Sequence, residues 1–579
     1  MRPLRAWVQA QWIALRNARR KRRPITPYVL ITLAGNLEEV LPEASPARWL
    51  RWFRFSLSER PLTVQRLAAL FERIAHDPRV RGVVIKLECT ASAATFQSLR
   101  AAILRLRAAG KQVIAYATTF GPFQYYAACA CDRIFMPPSG QWNVLGVAGE
   151  YLFLRDALAQ VGIRAEVVSV SPFKSAGDVF ARADFSAESR AQAEWLLEAR
   201  FAELVRGIAE GRNLDEPTVR ALIDGAPLNA REALAARLID AVAYEDELEA
   251  LLEPPKAAPQ APSPAWAHAL LARLGHNTPP EALPRCLMPL ESAKKALLLR
   301  QRAPTLRGIG VVHIAGTIVP GNVPLPLPAF GRSIASAPAV IQALRAAEQN
   351  PLIAAIVVVV NSNGGEALAS DLIAREVQRV NRRKPVVAYL SSIAASGGYY
   401  VAAPARSIIT QPLTLTGSIG VLAVRFDVEA ALQRLGVRRA VLKRGANADF
   451  FTSAAPLDEA HRAVIERQVA QAYADFKRIV AAHRPIAEAE LEAIAGGRVW
   501  TGAQAHAHKL VDALGDFTSA VEQARQLAGL PADPPLYDLH ALVPTRTLLP
   551  SPAALATSLA ALRRSIAWSV LPWLELPVH

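Results

Sequence analysis

The stretch Val387-Ala-Tyr-Leu-Ser-Ser-Ile-Ala-Ala-Ser396-Gly397-Gly398-Tyr399-Tyr400-Val-Ala-Ala403 begins in an apolar, strand-like run that starts at Pro385. It passes through small residues to a serine followed by two glycines, and then a helical pattern begins. A strand-to-helix turn of this kind presents one hydroxyl and several free N–H groups to whatever sits above it. Taken alone, the stretch reads equally well as a glycine-containing turn with an incidental serine. The remainder of the chain has to distinguish the two.

Outward from that turn the chain repeats itself. Strand-like runs at Arg81–Leu87 and Lys111–Tyr116 flank a helical stretch from Phe96 to Ala109, and the same order returns as Ala354–Val360, Ala369–Asn381 and Lys384–Tyr389. Gly146 and Gly420, Gly162 and Gly436, and Tyr126 and Tyr400 share one offset of 274, and the copies end in Leu238-Ile-Asp240 and Leu510-Val-Asp512 at 272. This is a tandem duplication of strand–helix–strand units. It predicts an α/β fold with buried, mostly parallel sheets. The boundaries read as a basic segment over 1–27, a first repeat over 28–252, a Pro/Ala-rich linker with a helical patch over 253–304, a second repeat over 305–530 and an apolar helical tail over 531–579. In that tail Leu555, Leu559, Leu562, Ile566 and Val570 form one stripe, suited either to docking on the protein's own surface or to membrane contact.

With 579 residues, 52% of them hydrophobic and 20% charged, the chain is long enough for more than one core. Its four cysteines are too few for a disulfide framework and lack zinc-type spacing with histidines, so they read as buried small hydrophobes. A formal charge of +16 implies attraction to anionic surfaces. Part of that charge sits in residues 1–23, where Arg2, Arg5, Gln9, Arg16, Arg20 and Arg23 fall on one helical face and Leu4, Trp7, Val8, Ala14 and Leu15 on the other. The pattern suits a helix lying on an anionic membrane surface, or a solvated arm. It is too short and interrupted to span a bilayer and lacks the features of a secretory signal. No nucleic-acid-binding motif accompanies it.

The duplication also makes the sequence its own control, because features kept in both copies serve the fold and features found in one only are candidates for chemistry. Ser396 has no counterpart: Pro122 or Phe123 stands at its position. The second copy has Asn361-Ser-Asn-Gly364-Gly365 after its apolar strand where the first has Lys86-Leu-Glu-Cys-Thr-Ala-Ser92, and two glycines there free backbone N–H groups for an oxyanion. Lys174 belongs to the first copy only, with Ala448 at the matching place in the second. No histidine lies between His313 and His461, so lysine is the available base for the serine. A lysine serves only if burial depresses its pKa from about 10.4, and a shift of about three units is worth roughly 4 kcal/mol.

These motifs resemble the S49 serine peptidases, in the long duplicated form of signal peptide peptidase A. The most specific are Ala395–Tyr400, Asn361–Gly365, Thr416-Gly417-Ser418-Ile419-Gly420-Val421, Ser171-Pro172-Phe173-Lys174-Ser175-Ala176 and Gly497-Arg-Val-Trp500-Thr-Gly502. The resemblance covers nearly all of Tyr28 to Leu530 and implies two fused domains similar to the Clp protease and crotonase superfamily. It implies Ser396 as nucleophile, Lys174 as general base, Gly365 and Gly397 as oxyanion donors with Gly364 the neighbouring candidate, and Ser418 orienting the lysine. No metal and no cofactor is implied. The implied substrates are signal peptides or other apolar peptides, the implied assembly a homo-oligomer (a tetramer), and the implied location the bacterial inner membrane. Such enzymes usually carry a membrane-spanning N-terminal anchor, which the short basic segment replaces here. Two rival readings share the same sequence: a crotonase-like acyl-thioester enzyme using the same glycine-rich hole without a serine nucleophile, and an inactive membrane-associated scaffold.

Overall fold

The computed structural model describes residues 2–41, 62–252, 286–300, 305–321, 334–452 and 457–539. The linker core at 253–285 and the apolar stripe of the tail lie outside these residues.

Each repeat builds its own parallel sheet. In the first, six strands run in the order Leu287–Pro289, Tyr28–Asn36, Gly82–Thr90, Gln112–Tyr116, Arg133–Met136 and Ala241–Val242, and all neighbours are parallel. In the second, Val386–Ala395 lies at the centre between Ile353–Ser362 and the pair Leu415–Gly417 and Ser407–Thr410, while Gly308–Ala315 and Leu536–Asp538 extend the other edge. Nine of the ten residues in Ile353–Ser362 are buried, as expected of a parallel strand covered on both faces. The α/β fold with duplicated, mostly parallel sheets is as the sequence predicts.

The duplication persists in individual hydrogen bonds. Tyr125 Oη donates to the carbonyl of Leu238, and Tyr399 Oη to that of Leu510. The amide of Ile134 donates to Asp240 and that of Ile408 to Asp512, both at 2.7 Å. Arg212 and Arg484 hold the two aspartates in turn.

The boundaries need two corrections. Leu287–Pro289, assigned to the linker, pairs in parallel with Tyr28–Leu30, and Leu536–Asp538, assigned to the tail, pairs in parallel with Ile309–Val311. Each repeat therefore returns to the outer edge of its own first strand with a three-residue strand. Segments this short leave no alternating pattern to read. The basic segment also differs from its expectation. It is a helix, Arg2–Lys21, but Ile13 is buried and Arg20 donates to the carbonyls of Lys294 and Leu297 at the end of the helix Leu290–Ala296. Asn17 exchanges two hydrogen bonds with the backbone of Leu299. Part of the basic charge thus satisfies carbonyls that a helix C-terminus leaves open. All four cysteines are buried and unpaired.

The two repeats meet over a polar, buried seam. Glu39 of the first copy accepts hydrogen bonds from Ser98 of its own copy and from Tyr389 and Ser391, which lie on the strand that ends at Ser396. Gln411 donates to Ser98, the amide of Leu413 donates to Gln97, and Arg105 pairs with Asp516. Burial pushes the Glu39 pKa up to about 7; the hydroxyls of Ser98 and Tyr389 oppose the shift and the charge of Asp516 adds to it.

A carboxyl whose pKa is higher folded than unfolded favours folding fully below its unfolded pKa and loses that contribution as pH rises through the folded value. Glu39→Gln should therefore gain stability relative to the parent as pH rises from about 4.5 to about 7, at up to roughly 1.4 kcal/mol per pH unit, and level off above. Denaturant titrations of both proteins at three pH values test this, and a difference independent of pH contradicts it.

Candidate active site

The nucleophile candidate sits where the central strand of the second sheet breaks into a helix. Val386–Ala395 ends at Ser396, which caps the helix Gly397–Ala402 with φ 54° and ψ −121°. A non-glycine residue at positive φ costs on the order of 1–3 kcal/mol and persists only where its surroundings hold it. Here the amide of Ser396 donates to the carbonyl of Gly417 at 2.9 Å, and the helix packs so closely on the neighbouring strand that a Cβ on Gly398 would lie 2.4 Å from the carbonyl oxygen of Ser362. At the matching place in the first copy the helix Pro122–Ala128 starts from Gly121 at φ −85°. That copy has neither the hydroxyl nor the strained turn.

Lys174 crosses from the first repeat to meet this turn. Its Nζ lies 3.0 Å from Ser396 Oγ, 2.8 Å from Ser418 Oγ and 2.9 Å from the carbonyl oxygen of Ser418. The side chain is 5% exposed, and burial lowers its pKa from the usual 10.5 to about 7. Near neutral pH a substantial share of such amines is unprotonated and able to accept the serine's proton. Ser418, itself at φ 49°, is held by a hydrogen bond from its amide to the carbonyl of Arg498.

What positions the lysine is the loop Gly496–Gly497 of the second repeat. A Cβ on Gly497 would stand 2.5 Å from Lys174 Cα and 2.6 Å from its amide nitrogen, so the two backbones touch at a place only glycine fits, with φ +87°. Ser171 donates to the carbonyl of Gly496 and accepts from the amide of Phe173, which fastens the lysine's loop at its start. Beside it, Gln192 accepts from the amide of Val499, and Trp195 stacks on Trp500 with ring centroids 5.3 Å apart. The sequence singled out the Gly497–Gly502 motif without showing that it seats Lys174. The absence of any side chain at two successive positions was the only signal.

The amide donors fall close by. Gly365, at φ +157°, bridges to Ile318, while Gly397 opens the helix and so has no carbonyl four residues back to bond. A Cβ on Gly397 would lie 3.2 Å from the Gly365 nitrogen, and one on Gly364 would lie 3.0 Å from Ser396 Cβ, so both amides and the serine share one small volume. The Gly364 amide is different: it donates to the buried Ser362 Oγ at 3.0 Å. Of the three glycines, Gly364 therefore has its amide committed to Ser362. Ala448 lies exposed. No group of acidic, histidine and cysteine side chains suited to a metal ion occurs among the described residues.

The profile of peptidase family S49 matches residues 105–258 and 378–531, one segment in each repeat and together more than half of the chain. The chloroplastic serine protease SPPA of Arabidopsis thaliana is 29% identical over 476 residues, covering 81% of this chain and 66% of that protein. Protease 4 of Haemophilus influenzae is 26% identical over 575 residues, covering 95% and 86%, and Protease 4 of Salmonella typhi is 30% identical over 476 residues, covering 78% and 70%.

The seat of Lys174 gives a test that leaves the reacting side chains untouched. Gly497→Ala should lower turnover of a peptide substrate by about 100-fold, the scale of a misplacement of about 1 Å, while the protein stays folded by circular dichroism. Unchanged turnover would show that the glycine contact does not set the lysine's position.

Proposed function

The chain belongs to peptidase family S49 and is a serine peptidase, and from that premise we propose that it cleaves peptides with a Ser396/Lys174 dyad divided between its two repeats. The observation that carries this is the buried, depressed amine of Lys174 at 3.0 Å from Ser396 Oγ.

In the proposed reaction Ser396 Oγ attacks the scissile carbonyl carbon while Lys174 Nζ takes the hydroxyl proton. The carbonyl π pair moves to oxygen, and the resulting oxyanion accepts from the amides of Gly365 and Gly397. Collapse breaks the C–N bond, and the lysine ammonium passes its proton to the leaving amine. Lys174 then takes a proton from water as the water attacks the acyl ester, and returns it to Ser396 Oγ when the acid leaves. Ser418 Oγ, at 2.8 Å, keeps the lysine aimed at the serine through both halves.

Apolar peptides such as cleaved signal peptides are the proposed substrates. The S49 relatives, named serine protease SPPA and Protease 4, support a peptide substrate. We place the enzyme peripherally on an anionic membrane surface. Among the described residues no helix is long and apolar enough to cross a membrane. The helix Arg2–Lys21 leaves Trp12 and Leu15 half or more exposed, with Arg16 stacked over Trp12 and Arg19, Lys21 and Arg22 also in solvent. Aromatic and basic side chains together suit the headgroup layer of acidic lipid.

Peptide turnover should rise with pH through about 7, as the Lys174 amine loses its proton. Lys174→Ala and Ser396→Ala should each abolish it, with the double variant no worse than either single, because members of one catalytic unit are not additive. Strong turnover by Lys174→Ala at neutral pH would refute the dyad. Co-sedimentation with acidic vesicles should fall at high salt and after Trp12→Ser with Leu15→Ser, and binding indifferent to both changes would remove the helix from the membrane reading.

A further inference from the structure

Lys174 rests its backbone on Gly497, and the glycine pair that forms this seat has no side chains with which to hold its own shape. Gly496 and Gly497 both adopt left-handed backbone, at φ +65° and +87°, and glycine gives the chain its greatest freedom. The place of the loop is therefore set by the groups that bond its peptide units. The Gly497 amide donates to the carbonyl of Ile419 at 2.8 Å, and Ser171 of the first repeat donates to the Gly496 carbonyl. The Gly496 amide donates to Tyr473 Oη at 2.9 Å.

Tyr473 comes from the helix Glu459–His483 and is 8% exposed. Its own proton goes to the Glu492 carboxylate, whose oxygens lie at 2.9 and 3.0 Å, and Lys477 donates to that carboxylate at 2.8 Å. Lys477, over the phenol ring, and Arg498 are the cations beside it. Burial and the Glu492 carboxylate push the phenol pKa up, so the hydroxyl keeps its proton and serves both bonds at once. Donating to a carboxylate makes that oxygen a stronger acceptor for the Gly496 amide.

The first repeat shows the same corner without this bond. At the offset of 272 that relates the ends of the copies, the helix Glu216–Asp224 corresponds to Glu488–Ile494, and Phe201, Arg220, Asp224 and Gly225 stand for Tyr473, Glu492, Gly496 and Gly497. The first two still meet, with Arg220 stacked over the Phe201 ring at 4.9 Å, but no hydroxyl is present. Gly225 has φ −86°, and a Cβ on it would meet the carbonyl oxygens of Ala221 and Leu222 at 3.4 and 3.7 Å, an ordinary contact within its own helix end. The phenol hydroxyl and the left-handed glycine pair thus occur together in the repeat that seats the lysine, and at the matching positions the other repeat has neither.

We propose that Tyr473 is a positioning residue for Lys174: its hydroxyl, oriented by Glu492, fixes the Gly496–Gly497 loop on which the base is seated, and so fixes the aim of the amine at Ser396. This rests on the Ser396/Lys174 reading and deepens it. The phenol acts through the loop and not on the reacting atoms.

Tyr473→Phe gives the second repeat the first repeat's residue and leaves the Gly496 amide without its acceptor. In peptide hydrolysis kcat should fall by about 10-fold or more with KM within about twofold, because a displaced base loses rate and not binding. The midpoint of the pH–rate profile should also move up from about 7, since a loosened seat readmits water to the amine. Glu492→Ala removes an exposed side chain and should change both quantities in the same direction by less. Tyr125→Phe deletes an equally buried hydroxyl from the scaffold of the first repeat, and should lower thermal stability with kcat and the midpoint unchanged. Parent kinetics in Tyr473→Phe, or the same kinetic changes in Tyr125→Phe, would overturn the proposal. Turnover that survived Lys174→Ala would refute the dyad itself, a separate failure read without either tyrosine variant.

Discussion

Removing one ammonium group from water is the constraint on which the rest of this molecule depends. A lysine in solvent holds its proton near neutral pH and cannot serve as a base, while in a low-dielectric pocket the charged form is penalised and the amine becomes available. Lys174 is 5% exposed because it comes from a loop of the first repeat and packs against Ser418, Gly420 and Gly497 of the second. The contact of Gly497 with the Lys174 backbone, the bond from Ser171 to Gly496 and the paired oxygens of Ser418 fix where the amine ends up. Ser396, held at φ 54°, is presented to it by the other half.

Duplication explains how such a site arises from one fold. The bonds Tyr125 to Leu238 and Tyr399 to Leu510, and the aspartates 240 and 512 receiving equivalent amides, maintain the same scaffold twice. Each copy carries one member of the proposed dyad, Lys174 in the first and Ser396 in the second. The first has no strained turn, and its helix begins at Pro122 from an ordinary extended glycine. The second has an exposed alanine where the first has its lysine. The seam between the copies is polar and buried around Glu39, whose partners Tyr389 and Ser391 belong to the strand that ends at the Ser396 turn, so the repeat interface and that turn share one element.

Much of this was legible in the sequence because the signals were local or repeated. The apolar run into Ser396-Gly397-Gly398, the glycine pair at Gly364-Gly365 and the one-sided occurrence of Lys174 are patterns that spacing alone exposes, and the α/β class follows from strand–helix alternation. What could not be read depends on distance in space. Three-residue strands at Leu287–Pro289 and Leu536–Asp538 take their identity from the edge they join, not from their own composition. Glu39 looks like any surface glutamate until three hydroxyls from two repeats converge on it. Gly364 and Gly365 are indistinguishable as letters, and only the hydroxyl of Ser362 separates them. Arg20 reads as one more charge in a basic run, although it caps a helix 274 residues away.

The state of the Lys174 amine can be observed without any substrate. In protein labelled with carbon-13 at the lysine ε position, NMR titration should reveal one resonance that changes with a midpoint near 7 and disappears in Lys174→Met, while exposed lysines titrate near 10.5. If every ε-carbon titrated together in the alkaline range, with Lys174→Met removing one of that group, the amine would be charged at neutral pH and the account of this site as a lysine-activated serine would be wrong.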